Sequence, residues 1–492
     1  MRRSILFREQ ICYSICMKIL LAASEVAPII KLGGLGDVTG SLPIALEKIG
    51  VNVDVIVPYF PIAKFSDKVF KSFELNVPFN QESPTVEVFK TKLPSSQVDV
   101  FLLKNDRYFN LGGTNAFANN LSETEMFTFF DRAVVEFIKQ QFNTYDIVHC
   151  NDWHTGLITH LLKDELPDTR PSTLFTIHNL LYQGIAGSKL VQEVGIVPGL
   201  HPLIDWDIQD GDINLMLQGI TSSDYVSTVS PSYAKEILTE EYAREMADIL
   251  KAREGRLTGI INGIDYNQLP RYYDVSNSGQ EKAKIKQKLQ KKLGMNVSDK
   301  PLYSFISRID PNQKGTDILY AVIPEIIKNG GQFVMLGTGD KGWEEKFAEL
   351  AHKLSAEVGN MTKGDVSIDT KDISINIKFD SALALEIYQA SNFFMVPSKY
   401  EPCGLTQMIA MWYGALPIAR NTGGLKDSVE SGVTGFKFDD YSDKSLLEAV
   451  QKSLKMYDTS DYETMVRNAM KADFGWDRSA LEYKKLYERI LS

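Results

Sequence analysis

Two series of short apolar runs that alternate with helical segments predict an α/β protein with two doubly wound, Rossmann-like parallel sheets. The first series starts at Lys18, where an apolar run leads into a Gly-rich loop, a helical segment and a second apolar run. The second series starts at Leu302, after a polar stretch rich in Lys and Gln. A strand, a Gly-rich turn and a helix in this order are typical of the opening unit of a doubly wound sheet. Each series therefore predicts one Rossmann-like domain.

The first half of the chain predicts strands and helices in alternation. The predicted strands cover residues 18–23, 51–57, 98–103, 146–149 and 173–177, and the predicted helices cover residues 37–49 and 123–142. Gly50 follows the first helix and can adopt the left-handed conformation that ends a helix. The last two of these strands are followed by polar residues, and ligands of open α/β sheets bind beyond the carboxyl ends of strands.

The second half repeats the alternation. Its predicted strands cover residues 302–307, 332–336, 393–396 and 416–419, and its predicted helices end near 328, begin at 343 and 404, and close the chain at 476–491. The Lys-rich run 282–293 precedes these elements. We expect it to be a helix with a solvated charged face rather than an anion site.

The polar break divides the chain into predicted segments. They are a disordered, dispensable extension at 1–16, an N-terminal Rossmann-like domain at 17–272, a linker at 273–300, a C-terminal Rossmann-like domain at 301–474, and a C-terminal helix at 475–492. Packing of that last helix back on the N-terminal domain is one option. The extension is predicted because Met17, which opens M-K-I-L-L-A-A-S-E, is a better protein start than Met1.

The composition excludes several classes of protein. The 492 residues are 44% hydrophobic and 24% charged, values typical of a globular chain rather than a disordered one or a small disulfide scaffold. The net charge of -10 argues against a protein that holds nucleic acid by phosphate neutralisation alone. No apolar run is long enough to span a membrane. The 4 cysteines are sparse for this length and indicate a reduced, cytoplasmic protein.

The Gly-rich turn K-L-G-G-L-G-D, residues 31–37, joins the first strand to the first helix. Its glycines allow a ligand to approach the backbone closely, and the N-terminus of the following helix favours negative charge. Lys31 adds a cation, so the turn suits a phosphate or a polar sugar. The spacing matches neither the dinucleotide fingerprint nor the Walker loop. A purely structural tight turn is the alternative.

Polar residues follow two neighbouring predicted strands, in N-D-W-H-T at 151–155 and I-H-N at 177–179. These motifs could place four side chains on one rim of a sheet: Asp152, His154, His178 and Asn179. The set suits sugar hydroxyls, and a metal is the alternative, although a catalytic zinc needs three well-disposed protein ligands. For His154 by itself, a helix cap or a satisfied polar residue is the simpler interpretation.

Two cations lie in S-R-I-D-P-N-Q-K-G, residues 307–315, between a strand and a helix. Arg308 offers a planar fork to phosphate oxygens, and Lys314 offers a movable point charge. Beside a helix N-terminus, this pair suits a diphosphate. A surface ion pair with neighbouring acids is the alternative.

A carboxylate lies in P-S-K-Y-E-P-C-G-L-T-Q, residues 397–407, again between a strand and a helix. Pro402 and Gly404 fix a turn beside Glu401 and hold its carboxylate over the sheet edge. N-T-G-G-L, at 421–425, supplies another Gly-rich turn before a helix. Glu401 could instead be only a cap, and Cys403 has no evident base nearby that would make it a nucleophile.

Eight motifs follow one another between Met17 and the C-terminus: K-L-G-G-L-G-D, D-W-H-T-G-L, T-I-H-N-L-L-Y-Q-G, V-S-P-S-Y-A, I-N-G-I-D, Q-K-G, P-S-K-Y-E-P-C-G-L-T-Q and N-T-G-G-L. Their order resembles that of bacterial glycogen synthases and plant starch synthases. The resemblance implies the GT-B fold, in which two Rossmann-like, doubly wound domains face each other across a cleft. It implies that the N-terminal domain is the acceptor domain, of the starch synthase catalytic type, and that the C-terminal domain binds the nucleotide sugar. It also implies glycogen biosynthesis by glucosyl transfer from a nucleoside-diphosphate glucose to the non-reducing 4-OH of an α-1,4-glucan, with retention and with neither a metal nor another cofactor.

The same resemblance assigns roles to residues. It implies catalytic roles for Glu401, Lys314, Arg308, His178 and Asp152. The residues that it implies in substrate binding are Lys31, Gly33, Gly34, Gly36, Asp37, His154, Asn179, Asn262, Phe379, Cys403, Gly404, Leu405, Thr422, Gly423 and Gly424. Among these, Phe379 is expected to lie against the nucleotide base.

The donor is expected to be ADP-glucose, and a UDP-glucose-using glucan synthase or another retaining GT-B glucosyltransferase is the alternative. Arg308 and Lys314 are separated by one residue more than in the commonest bacterial pattern, which leaves the nucleotide preference open. The segment at 357–375 also matches the family pattern poorly.

Two other classes explain less of the sequence. A glycoside hydrolase needs two carboxylates about the scissile bond, and its chemistry has no role for paired cations. A non-catalytic glucan-binding protein does not account for Arg308, Lys314 and Glu401 together. The expected partners are the nucleotide sugar and the glucan, with no nucleic acid and no membrane, and the oligomeric state is open.

Overall fold

The computed structural model describes residues 17–110, 122–356 and 370–492. The predicted extension at 1–16, and the segment at 357–375 up to residue 369, lie outside the described residues. The described chain divides into two compact units. The first contains the residues up to Thr176 with Leu181–Tyr225 and Ala480–Ser492, and the second contains Ile177–Leu180 and Val226–Ser479.

The first unit is an α/β unit on a mostly parallel sheet. Its strands are β1 (Lys18–Ala22), β2 (Asn52–Pro58), β3 (Phe70–Asn76), β4 (Thr85–Lys92), β5 (Asp99–Lys104), β6 (Ile147–Asn151), β7 (Ser172–Ile177), β8 (Ile185–Gly187) and β9 (Asp212–Asn214). Its helices are α1 (Gly34–Lys48), α2 (Glu123–Gln140), α3 (Ile158–Glu165), α4 (Lys189–Glu193), α5 (Pro202–Asp207) and α6 (Leu215–Ser222). The strand order is β7-β6-β1-β2-β5-β4-β3, parallel from β7 to β5 and antiparallel at β4 and β3.

The central strands of this sheet agree with the predicted apolar runs. A parallel strand covered on both faces has a nearly continuous apolar sequence, and Ile19, Leu20 and Leu21 of β1 are all fully buried. The β3–β4 hairpin was not predicted. β3 is an edge strand with mostly exposed side chains, so it lacks the apolar run that reveals a buried strand.

The second unit contains another Rossmann-like sheet. The strands of this unit are β10 (Tyr225–Thr228), β11 (Leu257–Gly259), β12 (Leu302–Ile306), β13 (Gln332–Gly337), β14 (Ile373–Ile377), β15 (Phe393–Val396), β16 (Leu416–Arg420) and β17 (Phe436–Phe438). Its helices are α7 (Pro231–Glu236), α8 (Glu240–Ala243), α9 (Ala247–Ala252), α10 (Ser278–Lys292), α11 (Thr316–Lys328), α12 (Lys341–Ala356), α13 (Ser381–Ala390), α14 (Thr406–Trp412), α15 (Gly423–Ser428), α16 (Asp443–Met456) and α17 (Ser460–Lys471), and α18 (Trp476–Leu491) starts there.

In the second unit β10 and β11 pair in parallel, and the remaining strands form an all-parallel sheet in the order β14-β13-β12-β15-β16-β17. Large aromatic side chains such as Tyr303, Phe333 and Phe393 are fully buried in its core. In the order of this sheet, the chain leaves β12 towards β13 on one side and returns to β15 on the other. The carboxyl ends of β12 and β15 are therefore a topological switch point, where ligands of doubly wound sheets bind.

The Lys-rich run before this sheet forms α10, but its charged residues do not all face solvent as predicted. Lys282 and Lys286 are buried. The Lys282 ammonium donates to the carbonyl oxygens of Gln389 and Tyr413, at 2.9 and 2.7 Å. Burial lowers the pKa of Lys282 to about 7. The predicted solvated face is present at Lys284, Lys288, Lys291 and Lys292. Lys282 and Lys286 differ because their long stems enter the core, where carbonyl oxygens accept from the ammonium groups.

The last helix, α18, ends in the first unit. From Ala480 onward its residues belong to that unit, and the Tyr487 hydroxyl lies 2.9 Å from His149 Nδ1 on β6. Lys484 Nζ donates to the carbonyl oxygen of Ile49, which follows α1. No helix in the described part of the chain is long and apolar enough to cross a membrane.

Candidate active site

Lys314 and Glu401 form an ion pair at the switch point of the second sheet. Lys314 Nζ lies 2.7 Å from Glu401 Oε2, and the two side chains are 20% and 9% exposed. The hydroxyl of Ser398 donates to the same carboxylate oxygen at 2.9 Å. The two loops meet because β12 and β15 are adjacent and parallel, so the residues that follow them emerge at the same edge.

A glycine brings these two loops into contact. Gly315, at the N-cap of α11, has a φ of 67°, and a Cβ there would lie 2.0 Å from the carbonyl oxygen of Pro397. Only glycine, which has no Cβ, can adopt a left-handed conformation and approach another backbone segment this closely. A cavity of about 70 Å³ adjoins the ion pair, with Ser307 and Leu405 among its lining residues.

Arg308 is not part of this ion pair. Its Nη2 donates to Asp310 at 3.1 Å and to Gln313 at 3.0 Å, and its side chain is 50% exposed. The pair with Asp310 agrees with the alternative considered for the sequence, a surface ion pair. The guanidinium nevertheless lies in the same loop as Lys314, with half of its surface open to a ligand.

The second Gly-rich turn, Thr422 to Gly424, packs on the backbone around Glu401. Gly424 donates its N–H to the Glu401 carbonyl oxygen at 3.0 Å. A Cβ on Gly423 would lie 2.0 Å from that oxygen. The Gly423 N–H donates to the carboxylate of Glu236 at 2.8 Å. The turn therefore supports the loop that carries Glu401.

Other predicted residues of the second unit have contrasting environments. Burial raises the pKa of Cys403 to about 12, so the residue is a neutral thiol and not a nucleophile. The backbone of Asn262 bonds to this thiol, and Asn262 Oδ1 is buried without a hydrogen-bond partner in the described part of the chain. An orphan buried acceptor is rare in native proteins and points to an absent ligand or water. Phe379 is 92% exposed, which leaves its ring open for stacking.

His178 and Asn179 follow β7 directly, and both side chains are partly buried. Burial lowers the pKa of His178 to about 3. At neutral pH its ring is therefore uncharged, with one nitrogen donating and the other accepting. It suits sugar hydroxyls better than a phosphate.

Gly404 has a φ of 72°, in the turn between Glu401 and α14.

Asp152 and His154 follow β6 in the first unit. Asp152 is buried and has φ 62° and ψ 178°, a region that is populated almost only by glycine. The His154 ring stacks on Trp153 with centroids 4.0 Å apart. Backbone strain of this kind concentrates at functional sites, so Asp152 is the stronger candidate of the two.

The first Gly-rich turn combines a solvent-accessible ion pair with a buried carboxylate. Lys31 Nζ pairs with Asp37 at 2.6 Å, and both side chains are solvent-accessible. The buried carboxylate of Glu25 accepts the N–H groups of Leu32 and Gly33. The backbone donors expected to receive a ligand are thus partly occupied by the protein itself.

Sequence reasoning missed Glu25, Ser398 and Glu236. One signal was present, since Glu25 follows the apolar strand β1 directly and precedes the Gly-rich turn, as ligand-site residues of α/β sheets do. Glu236 has no comparable signal, because it lies in a short helix 187 residues from Gly423. Among the described residues, no group of three or more His, Cys, Asp or Glu side chains could hold a metal ion.

Known proteins match this chain along most of its length. Residues 18–252 match the family model for the starch synthase catalytic domain, and residues 285–472 match the model for glycosyl transferases group 1. The chain is 37% identical to glycogen synthases of Fervidobacterium nodosum and of Thermotoga maritima, in each case over 97% of this chain and 99% of the relative.

A solved structure of the catalytic domain of starch synthase IV from Arabidopsis thaliana, bound to ADP and acarbose, has a TM-score of 0.84 and 27% identity, and the match covers 97% of this chain and 99% of that one. Sucrose-phosphate synthase from Thermosynechococcus elongatus, at 19% identity and a TM-score of 0.59, shares the fold. These matches confirm the resemblance and the fold class predicted from the motifs. The chain belongs to the family of bacterial glycogen synthases and plant starch synthases and is a retaining glycosyltransferase of the GT-B fold.

Proposed function

We propose that this protein transfers glucose from ADP-glucose to the non-reducing 4-OH end of an α-1,4-glucan, with retention of configuration, in glycogen biosynthesis. The observation that carries the proposal is the pairing of Lys314 with Glu401 at the switch point of the second sheet. The glycogen synthase relatives and the ADP-bound and acarbose-bound starch synthase support the donor and the acceptor.

Cleavage of the donor places negative charge on the departing diphosphate and positive charge on the anomeric carbon. Lys314 and Arg308 would stabilise the first of these charges. Preorganised charges aimed at such a site are worth about 3 kcal/mol each in transition-state free energy. When the diphosphate binds, the Lys314 ammonium would contact both the diphosphate and the Glu401 carboxylate. The contact with Lys314 would keep the carboxylate close to the reacting sugar.

The other end of the bond needs polar groups that orient the glucose. Glu401, the neutral ring of His178 and the orphan oxygen of Asn262 would accept or donate hydrogen bonds to its hydroxyls. Gly404, Leu405 and the turn 422–424 would hold the loop that carries Glu401, while the exposed ring of Phe379 would stack on the base.

In the first unit, we assign Asp152 to the glucosyl site, and we assign Lys31 and the turn 33–37 to substrate contacts. We also assign His154 of the first unit and Asn179 of the second unit to sugar contacts. No metal or other cofactor has a role in this mechanism, since cationic side chains neutralise the leaving group. The buried free thiols of Cys150 and Cys403 support a cytoplasmic location.

The test measures nucleotide release from ADP-glucose and from UDP-glucose, each with and without glycogen, together with glucose incorporation into polymer. We expect ADP release that depends on added glycogen and matches the incorporation. Faster release from UDP-glucose would favour the alternative donor. Release without glycogen would indicate hydrolysis, and absence of incorporation from both donors would contradict the proposal.

A further inference from the structure

The carboxylate of Glu25 lies beneath the Gly-rich turn at 31–37. Its Oε2 accepts the N–H groups of Leu32 and Gly33, the second at 2.8 Å. The residue is 5% exposed, so these bonds are made away from solvent. Burial raises the pKa of Glu25, and the backbone N–H groups of the turn oppose this rise by donating to the carboxylate. The buried carboxylate therefore depends on these hydrogen bonds, because it has lost its contact with water.

The glycines of the motif differ in their relation to this carboxylate. A Cβ on Gly36 would lie 2.9 Å from Glu25 Oε2, and a Cβ on Gly33 would lie 3.3 Å from Oε1. A Cβ on Gly34 would meet nothing within 4 Å. The turn therefore wraps around Glu25 on one side and leaves Gly34 on its open side.

The segment that carries Glu25 is itself fixed. The hydroxyl of Thr39 on α1 donates to the Glu25 carbonyl oxygen at 2.7 Å. Val26 and Ile30 exchange backbone hydrogen bonds at 2.9 and 2.8 Å. Both ends of the contact are thus anchored, and the carboxylate determines the shape of the turn.

Lys31 does not neutralise Glu25, because it pairs with Asp37. That pair is accessible, with side chains 52% and 31% exposed. The turn consequently presents two different faces: an inner face fixed by Glu25, and an outer face that carries Gly34 and the Lys31–Asp37 pair.

We infer that Glu25 is a positioning residue for glucosyl transfer, which holds the turn at 31–37 so that Gly34 and Lys31 face the substrate. The inference rests on the proposed function. Glu25 itself does not touch the substrate. It fixes the backbone that does, so its loss should weaken substrate binding before it weakens folding.

The test compares Glu25→Gln, Glu25→Asp and Gly36→Ala in steady-state kinetics, with thermal unfolding measured on each. Glu25→Gln removes the charge at nearly constant shape, and Gly36→Ala pushes the carboxylate away. We expect both to lower kcat/KM at least tenfold, mainly through a higher KM, while Glu25→Asp restores part of the loss. Asp205→Asn is the matched control, since Asp205 also accepts N–H groups before a helix of the first unit, from Gly199 and His201.

Three results would overturn the inference while leaving the proposed function intact. One is a Glu25→Gln enzyme with the kinetics of the Asp205→Asn control. Another is a fall in kcat alone, in proportion to the unfolded fraction, which would indicate a purely structural role. The third is a Glu25→Gln variant that does not fold together with a Glu25→Asp variant that folds and has an unchanged KM, which would also indicate a purely structural role. If the unsubstituted enzyme transfers glucose from neither donor, the proposed function fails first and the inference fails with it.

Discussion

Asp152 has a backbone conformation that is normally reserved for glycine. With φ 62° and ψ 178°, it carries strain of about 1–3 kcal/mol that the surrounding fold must offset. The residue follows β6 next to β1 in the strand order, at the switch point of the first sheet. A carboxylate kept at a strained position where ligands bind indicates that its placement matters for function more than for stability.

We therefore expect Asp152→Gly to raise the free energy of unfolding by about 1 kcal/mol or more and to lower glucosyl transfer severely. Asn143→Gly is the control, because Asn143 also has a positive φ of 55° but lies in an exposed turn. It should change stability slightly and activity not at all. Chemical denaturation and turnover measure both effects, and an Asp152→Gly enzyme of normal activity would contradict the assignment.

Lys314→Ala should lower kcat by about 10²- to 10³-fold, since a charge aimed at the leaving group is lost. Glu401 would also lose its cationic partner. Lys328→Ala, at the other end of α11, removes an exposed lysine and should leave turnover unchanged. Equal turnover of the Lys314→Ala and Lys328→Ala enzymes would rule out the role in leaving-group stabilisation.

Two histidines with lowered pKa values predict a loss of stability in acid. Burial lowers the pKa of His160 to about 4 and that of His178 to about 3. Below about pH 6.5, the ordinary pKa, the unfolded chain binds protons that these folded residues do not. The free energy of unfolding should therefore decrease as the pH is lowered from 6.5 to 4, by at most about 1.4 kcal/mol per pH unit for each histidine.

Urea denaturation at pH 7.5 and 5.5 checks this expectation. His160→Gln removes one of the two groups without touching the proposed site, so the difference between the two pH values should shrink. An unchanged difference would show that other groups control the acid sensitivity.

At the scale of elements, the N-terminus of α11 depends on one glycine. Gly315→Ala would place its Cβ 2.0 Å from the Pro397 carbonyl oxygen and would separate the loops that carry Lys314 and Glu401. Gly330, which follows α11, has a φ of 84° but open space around its Cβ position. A comparison of substitutions at these two glycines therefore distinguishes the effect of close packing from the effect of backbone strain.

We expect Gly330→Ala to cost about 1 kcal/mol of stability through its left-handed conformation and to keep full activity. Gly315→Ala should cost more and should also lower kcat, because Lys314 moves relative to Glu401. Thermal unfolding and turnover of both variants test this difference. Similar losses in both would show that close packing at Gly315 does not position the ion pair.

At the scale of the whole molecule, the end of the chain completes the first unit. Tyr487 of α18 is fully buried and contacts His149 on β6. The sequence predicts a helix over this segment but leaves its packing open. The first unit thus needs residues from both ends of the described chain.

Tyr487→Ala should lower the free energy of unfolding by about 3–5 kcal/mol, as large-to-small substitutions of buried aromatic residues do. Lys485→Ala removes a neighbouring exposed side chain from the same helix and should change stability little. Chemical denaturation of both variants is the measurement. A small effect of Tyr487→Ala would mean that the helix contributes little to the unit.

The sequence by itself determined the fold class, most central strands and the loops that carry the candidate site, because buried strands and Gly-rich turns leave local patterns of hydrophobicity and spacing. It also determined the family, through the order of the motifs. Only the tertiary structure decided which charges meet: Lys314 with Glu401, Glu25 with the turn at 31–37, and Lys282 with carbonyl oxygens. Those pairings depend on strand order and on close backbone approaches between distant segments, and no local pattern encodes either.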